Sequence, residues 1–286
     1  MNPFRGMSLA VFGPGLLGGS LLLEARARGV RELRVWSRRE APLALVRERG
    51  LADVASTDAA AVAAEADFLV LCVPVGGMTA LAQQIVTAGL GANPVVTDVG
   101  SVKAAVLSGA GAVFRQAGIH FIGSHPMAGA EVAGFEAARA GLFTDAACIL
   151  TPEPDSPPAA VDRVEAFWQA LGCRTARMDA ARHDTVVARI SHLPHLAAVA
   201  TTLAAFQPDQ TMAAFAAGGL RDTTRVASGL PTMWREILLE NRSAILPALT
   251  DLHRITGELL EMLEKADEDQ VLEVLERAKQ LRATRY

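Results

Sequence analysis

Over roughly the first 178 residues, short unbroken apolar runs alternate with stretches of helical spacing. The runs lie at 7–12, 33–36, 67–74, 94–99, 119–122, 147–152 and 174–178. Apolar runs of this length without polar alternation predict strands covered on both faces, as in a parallel sheet. Between them, 19–28, 43–49, 59–65, 81–88, the stretch from Ser101 to Ala117, a short piece at 134–142 and one ending at Leu171 have helical spacing. Strand and helix in strict alternation predict a doubly wound, mostly parallel sheet. From Asp179 onward no strand-like run remains and helical spacing continues to the end. The pattern predicts an α/β domain over 1–178 and an all-helical domain over 179–286.

Composition narrows the class. A chain of 286 residues can bury a large core, and a net charge of -4 without any dense basic run argues against nucleic acid as a partner. Cys72, Cys148 and Cys173 sit in or beside apolar runs without metal-type spacing and read as buried thiols of a reducing compartment. Arg5 followed by the apolar stretch 8–23 has the outline of an export signal. Its glycines and Pro14, and Glu24-Ala25-Arg26 where a cleavage site belongs, argue against one. With no other segment suited to span a bilayer, the expectation is a soluble cytoplasmic protein.

The first strand runs into Gly13-Pro14-Gly15-Leu16-Leu17-Gly18, a Gly-x-Gly-x-x-Gly turn between strand and helix. Gly13 permits the turn, Gly15 lets backbone N–H groups approach a pyrophosphate, and Gly18 allows close packing of helix on strand. The second strand ends in Ser37-Arg38-Arg39, where an NAD-binding chain would place an acid for the ribose hydroxyl. Guanidinium groups there pair with the 2'-phosphate of NADP, so NADP is expected over NAD; the alternative is a solvated arginine pair. The cofactor surface is thus expected to comprise Gly13, Gly15, Leu16, Leu17, Gly18, Ser37, Arg38 and Arg39, together with Val73, Asp98 and Ser101 at the ends of later strands.

Two further strand ends carry polar groups. Asp98-Val99-Gly100-Ser101-Val102-Lys103 follows one, and Gly123-Ser124-His125-Pro126-Met127-Ala128-Gly129-Ala130-Glu131 the next. Ligands bind at the carboxyl ends of parallel strands, which makes His125 the first candidate for chemistry and Ser101 its candidate hydrogen-bond partner. The plainer readings are a loop histidine that satisfies backbone groups and a serine that caps a helix. The helical part opens with His183 and carries Ser191-His192-Leu193-Pro194-His195, in which Pro194 predicts a break or kink. His192 and His195 share a face, but no third metal ligand lies near in sequence, so no metal is expected. Arg221 and Arg225, four apart, suit a substrate with two carboxylates or an ion-paired surface with Asp222 and Glu236. Apolar stripes through Leu259, Met262, Val271, Leu275 and Leu281 read as core or subunit interface.

Taken together, the glycine turn, the segment from Asp98 to Lys103, the segment from Gly123 to Glu131, Ser191-His-Leu-Pro-His195 and Gly218-Gly-Leu-Arg-Asp-Thr-Thr-Arg225 with Met233-Trp234 resemble the prephenate and arogenate dehydrogenases of tyrosine biosynthesis. The resemblance runs nearly end to end and in the same order. It implies a Rossmann-type NAD(P) domain, a helical domain that forms a homodimer, and oxidative decarboxylation of a cyclohexadienol. Carried over, it implies His125 as the base for the C4 hydroxyl, with Ser101 bonding both. Arg225 is then the grip on the ring carboxylate, His195 and Arg221 line the pocket, Glu131 and Asp222 shape it, and Trp234 arrives from across the dimer interface. Ser37-Arg38-Arg39 matches the NADP-using members, and Arg221 stands where some relatives carry Lys. The chain leaves no room for an added regulatory domain, so feedback by tyrosine is expected only at the active site. Two other readings remain open at this point: another hydroxyacid dehydrogenase of the same build, disfavoured by the lack of Lys between Lys103 and Lys265, and a non-catalytic NADP-binding redox sensor.

Overall fold

Alternate residues of the central strands feed two separate cores. Leu9, Val11, Phe68 and Val70 pack into one, and Ala10, Phe12, Leu69 and Leu71 into the other. This is the period-two consequence of a sheet covered on both faces. In the computed structural model, which describes residues 2–91, 94–129 and 132–284, eight strands form that sheet. They are β1 (Ser8–Phe12), β2 (Glu32–Trp36), β3 (Val54–Ser56), β4 (Phe68–Leu71), β5 (Val95–Asp98), β6 (His120–Pro126), β7 (Ala147–Thr151) and β8 (Arg174–Arg177). Their order is β3-β2-β1-β4-β5-β6-β7-β8, parallel throughout except where β6 meets β7. The chain leaves β1 toward β2 and β3 and returns on the other side as β4. The crevice between the ends of β1 and β4 is therefore the switch point of a doubly wound sheet.

The expected strands are all present, with two differences. β3 is a three-residue edge strand, too short for its apolar pattern to register, and it is set by Asp53, whose N–H donates to the Leu33 carbonyl (2.7 Å) and whose carboxylate accepts from Leu33 N–H (2.8 Å). The segment Gly123 to Pro126, expected as loop, is strand. β7 arrives antiparallel and pairs His125 with Ile149 and Pro126 with Cys148, prolonging β6 past its parallel partner. Gly123 is required there, because a Cβ would stand 2.5 Å from Thr151 Oγ1. Among the helices, Val75–Ala88 starts well before its expected position because Gly76 and Gly77 weaken its spacing. The expected helix over 134–142 is reduced to one 3-10 turn, Phe135–Ala137.

Packing divides the chain into two compact units, residues 1–241 and residues 242–286. The first includes the helices Ala180–Val187, Leu193–Phe206, Gly218–Thr224 and Pro231–Glu240 as well as the sheet. Pro194 falls in the first turn of Leu193–Phe206, directly after a wide π-type segment, Ala188–His192, so its missing N–H costs no regular helical hydrogen bond. The second unit is a helical pair, Arg242–Lys265 and Glu268–Ala283, in which Asp267 caps the second helix by accepting from Gln270 N–H at 3.0 Å. Among the described residues, no helix is long and apolar enough to cross a membrane.

Candidate active site

The glycine turn forms one wall of the crevice. Gly13 adopts φ +106°, and its N–H donates to the Trp36 carbonyl at 2.9 Å. A Cβ at Gly13 would lie 2.8 Å from the Cys72 carbonyl oxygen, and one at Gly18 would lie 2.1 Å from the Gly13 carbonyl oxygen, so both positions are closed to any side chain. At Gly15, by contrast, nothing comes within 4 Å. Gly15 immediately precedes the helix Leu16–Ala27 and offers no capping side chain, which leaves the first-turn N–H groups to an anionic ligand. Leu16 and Leu17 lie half-buried against the core, and Val73 closes the opposite side at the end of β4. Ser37 is buried and accepts from Arg39 N–H at 3.3 Å, whereas Arg38 and Arg39 are exposed and form no ion pair among the described residues. A cradle open at Gly15 ahead of an uncapped helix N-terminus fits the pyrophosphate of a dinucleotide.

Asp98, expected to face the cofactor, turns inward. Its carboxylate is fully buried and accepts from Lys103 Nζ, from Gly100 N–H (2.7 Å) and from Ser124 N–H (3.0 Å). Lys103, also fully buried, donates in addition to the Ser124 carbonyl at 2.8 Å. Burial pushes the Lys103 ammonium below its usual range and Asp98 resists that shift. The pair ties the end of β5 to the residue before His125. Ser101 is half-buried on the intervening loop, and its hydroxyl makes no hydrogen bond among the described residues, so the expected pairing with His125 is absent.

His125 is instead paired with a residue that the sequence reading left without a role. Its Nδ1 lies 2.9 Å from His183 Nε2, with the rings edge to face, and His183 Nδ1 lies 2.7 Å from Asp184 Oδ1. Asp184 also accepts from Lys103 N–H (2.8 Å) and Ala104 N–H (2.9 Å). Burial alone would raise the Asp184 carboxyl, but hydrogen bonds from His183 and the two backbone donors hold it below the usual carboxylate range. Burial, joined by His183, Lys103 and His192, drives the His125 imidazole well below its ordinary value, so the ring is neutral at physiological pH. His183 and Asp184 lie on the buried face of Ala180–Val187 that Val187 continues. Two polar residues on a core-facing stripe were the signal available in the sequence; it carried no indication of which strand they would meet.

A second branch runs from the same anchor. Asn241 Nδ2 donates to the Asp184 carbonyl (2.9 Å) and toward His192 Nδ1 (3.1 Å). Trp234 packs edge-on to His192 and stacks on His195 with ring centroids 3.5 Å apart. Trp234, expected from across a dimer interface, thus lies against a histidine of its own chain. His195 is buried, its Nδ1 2.9 Å from the Val226 carbonyl, and burial lowers its pKa. That bond brings the segment bearing Arg225 next to His195. Arg225 opens the 3-10 turn Arg225–Ser228, and Arg221 and Asp222 sit on the preceding helix Gly218–Thr224, all three exposed. Glu131 lies outside the described residues.

Burial also pushes His192 down to about 4. Its unfolded form titrates near 6.5, so acid favours the unfolded chain. The stability present above pH 6.5 is lost as pH falls from about 6.5 to about 4, by about 3 kcal/mol in total. His192→Asn keeps an acceptor for Asn241 and removes the titration. Unfolding free energies from urea titrations at pH 7 and pH 4 are expected to differ less in this variant by up to that amount.

The glycine turn at a switch point, the polar groups at the ends of β5 and β6, and a helical region that closes over them define a dinucleotide-dependent enzyme of the two-part dehydrogenase class. Comparison with known proteins gives the family. The model described as "Prephenate dehydrogenase, nucleotide-binding domain" matches residues 26–177, and "Prephenate dehydrogenase, dimerization domain" matches residues 179–277. The chain is 33% identical over 271 residues to the cyclohexadienyl dehydrogenase of Zymomonas mobilis, covering 93% of this chain and 91% of that one. It also resembles the crystal structure of A. aeolicus prephenate dehydrogenase in complex with hydroxyphenyl propionate and NAD+ (TM-score 0.88, 27% identity, 97% and 98% of the two chains). A third relative is Synechocystis arogenate dehydrogenase (TM-score 0.82, 28% identity, 98% and 100%). The chain belongs to the prephenate dehydrogenase family.

Proposed function

We propose that the protein catalyses NADP-dependent oxidative decarboxylation of a cyclohexadienol, prephenate or arogenate, in tyrosine biosynthesis, as a cytoplasmic homodimer. The observation that carries the reading is His125: a neutral, buried imidazole near the carboxyl end of β6, with Nδ1 engaged by His183 and Nε2 without a partner among the described residues. When bound, the nicotinamide supplies the acceptor for the hydride that leaves C4 of the substrate. His125 Nε2 removes the proton of the C4 hydroxyl as the carbinol gains carbonyl character. The C1–carboxylate bond then breaks, its electron pair aromatises the ring, and the proton on His125 returns to the phenolate oxygen. Ser101 lies on the adjacent strand end as a second polar contact for that hydroxyl. Arg225 grips the ring carboxylate; Arg221, His195, Asp222, Trp234 and Glu131 line the rest of the pocket. The site mainly orients the acid, since aromatisation and loss of carbon dioxide drive the reaction.

The 2'-phosphate of NADP is assigned to Arg38 and Arg39, exposed after β2 and without an ion pair among the described residues. Initial rates of the purified protein with prephenate and with arogenate, each with NAD and NADP, test the reading. Turnover is expected with NADP. An Arg38→Ala/Arg39→Ala protein is expected to lose about 10- to 100-fold in affinity for NADP with little change for NAD, the loss of one or two charge-assisted contacts. No turnover in any of the four combinations overturns the assignment. Dimerisation is supported by the apolar side chains that the second unit exposes, such as Leu260, Leu263, Leu272 and Leu275, each more than half exposed in the single chain.

A further inference from the structure

We infer that His183, anchored by Asp184, is a positioning residue that holds His125 in the Nδ1–H tautomer and thereby keeps Nε2 as the base. The inference rests on the reading of His125 as the base and adds the device that sets its protonation pattern. The donors and acceptors can be followed from the fixed end. Asp184 accepts two backbone N–H groups, those of Lys103 and Ala104, at the start of the helical stretch 104–116, and its own carbonyl is held by Asn241. Its carboxylate therefore has little freedom to turn, and as an ionised group it only accepts. The 2.7 Å contact with His183 Nδ1 then requires the proton to sit on that nitrogen. In a neutral imidazole this makes His183 Nε2 an acceptor. The 2.9 Å contact between His183 Nε2 and His125 Nδ1 requires in turn that His125 carry its proton on Nδ1. The lone pair is left on His125 Nε2, the nitrogen without a partner among the described residues.

The opposite tautomer would place two lone pairs face to face in a region where His183 is fully buried and His125 nearly so. No water-like dielectric is present to relieve that contact. The same geometry serves the next moment of the reaction. Once Nε2 has taken the substrate proton, the imidazolium still donates from Nδ1 to His183, with the Asp184 carboxylate behind it.

The test uses the full-length enzyme and three variants, His183→Ala, His183→Asn and His183→Gln, in steady-state kinetics with NADP and the preferred acid. The Gln carboxamide oxygen reaches the place of His183 Nε2 and accepts from His125 without titrating; Ala and Asn leave the acceptor site empty. In the Ala and Asn variants kcat is expected to fall by about 100-fold or more with KM nearly unchanged, and Gln to recover at least about tenfold of that loss. Nitrogen-15 spectra of histidine-labelled protein, with His125 identified by its absence in His125→Asn, are expected to show Nδ1–H in the wild type and the Gln variant and mixed tautomers in the others. His183→Asn replaces His183→Ala should the Ala variant not fold. Near-normal kcat in the disrupted variants, a Gln variant no better than they are, or an Nε2–H signal in the wild type would overturn the inference. A wild type that turns over neither acid sinks the proposed function, and the spectra still decide the tautomer.

Discussion

His125→Asn is expected to lower kcat by about 100- to 10,000-fold while leaving nucleotide binding near normal. The Asn amide takes the place of Nδ1 and still donates to His183, whose Nε2 lies 2.9 Å away, so the buried network survives. What is lost is the second ring nitrogen, for which Asn has no counterpart. The glycine cradle lies on β1 and its helix, apart from the edit. Stopped-flow or steady-state rates with NADP, beside a fluorescence titration of the nucleotide, separate the two quantities; turnover near the wild-type rate removes His125 from the mechanism. The pH profile of the wild type has a matching sign. In the proposed role His125 acts in its neutral form, and burial lowers its pKa well below 6.5, so activity is expected to persist below pH 6.5 and to fall only where the ring at last protonates.

Lys103→Met is expected to carry the largest stability loss, about 3–5 kcal/mol. Met nearly preserves the volume of the buried stem but removes the ammonium that faces Asp98. The carboxylate keeps two backbone donors, Gly100 and Ser124, yet remains as a fully buried charge with no counter-charge in contact. Asp98→Asn added to Lys103→Met removes that charge and is expected to restore part of the loss; the recovery is incomplete because the one amide oxygen accepts from only one of the two backbone donors and the NH2 group faces the other. Urea unfolding of the three proteins gives the comparison. A single variant within about 1 kcal/mol of wild type would mean that the pair contributes no more than an exposed one. Since Lys103 also holds the Ser124 carbonyl beside His125, the single variant should lower kcat as well.

Much of the site was legible before the fold was known, because its signals are local. A glycine turn between strand and helix is dictated by backbone sterics within six residues, and Gly13, Gly15 and Gly18 have the three environments the spacing implies: strained, open and tightly packed. The position of the basic pair, exposed directly after β2, likewise depends only on where the strand ends. Readings that required distance were less secure. Asp98 looks like a rim residue from its place after a strand, but Lys103 and two N–H groups draw it inward. Ser101 and His125 follow adjacent strands, yet the residue that meets His125 comes from 58 positions further along the chain.

By itself the sequence determined the alternation of elements, the doubly wound sheet and the nucleotide turn, and it singled out His125 as the first candidate for chemistry, since each rests on periodicity, backbone sterics or a short motif. Only the tertiary structure decided that β6 continues through Pro126, that Asp98 is a structural counter-ion, that Trp234 stacks on its own chain's His195, and that Asp184 and His183 stand behind His125. Each of those depends on which buried donor meets which acceptor. That is fixed by the packing of segments far apart in sequence, where an unpaired polar group is costly and only one arrangement satisfies them all.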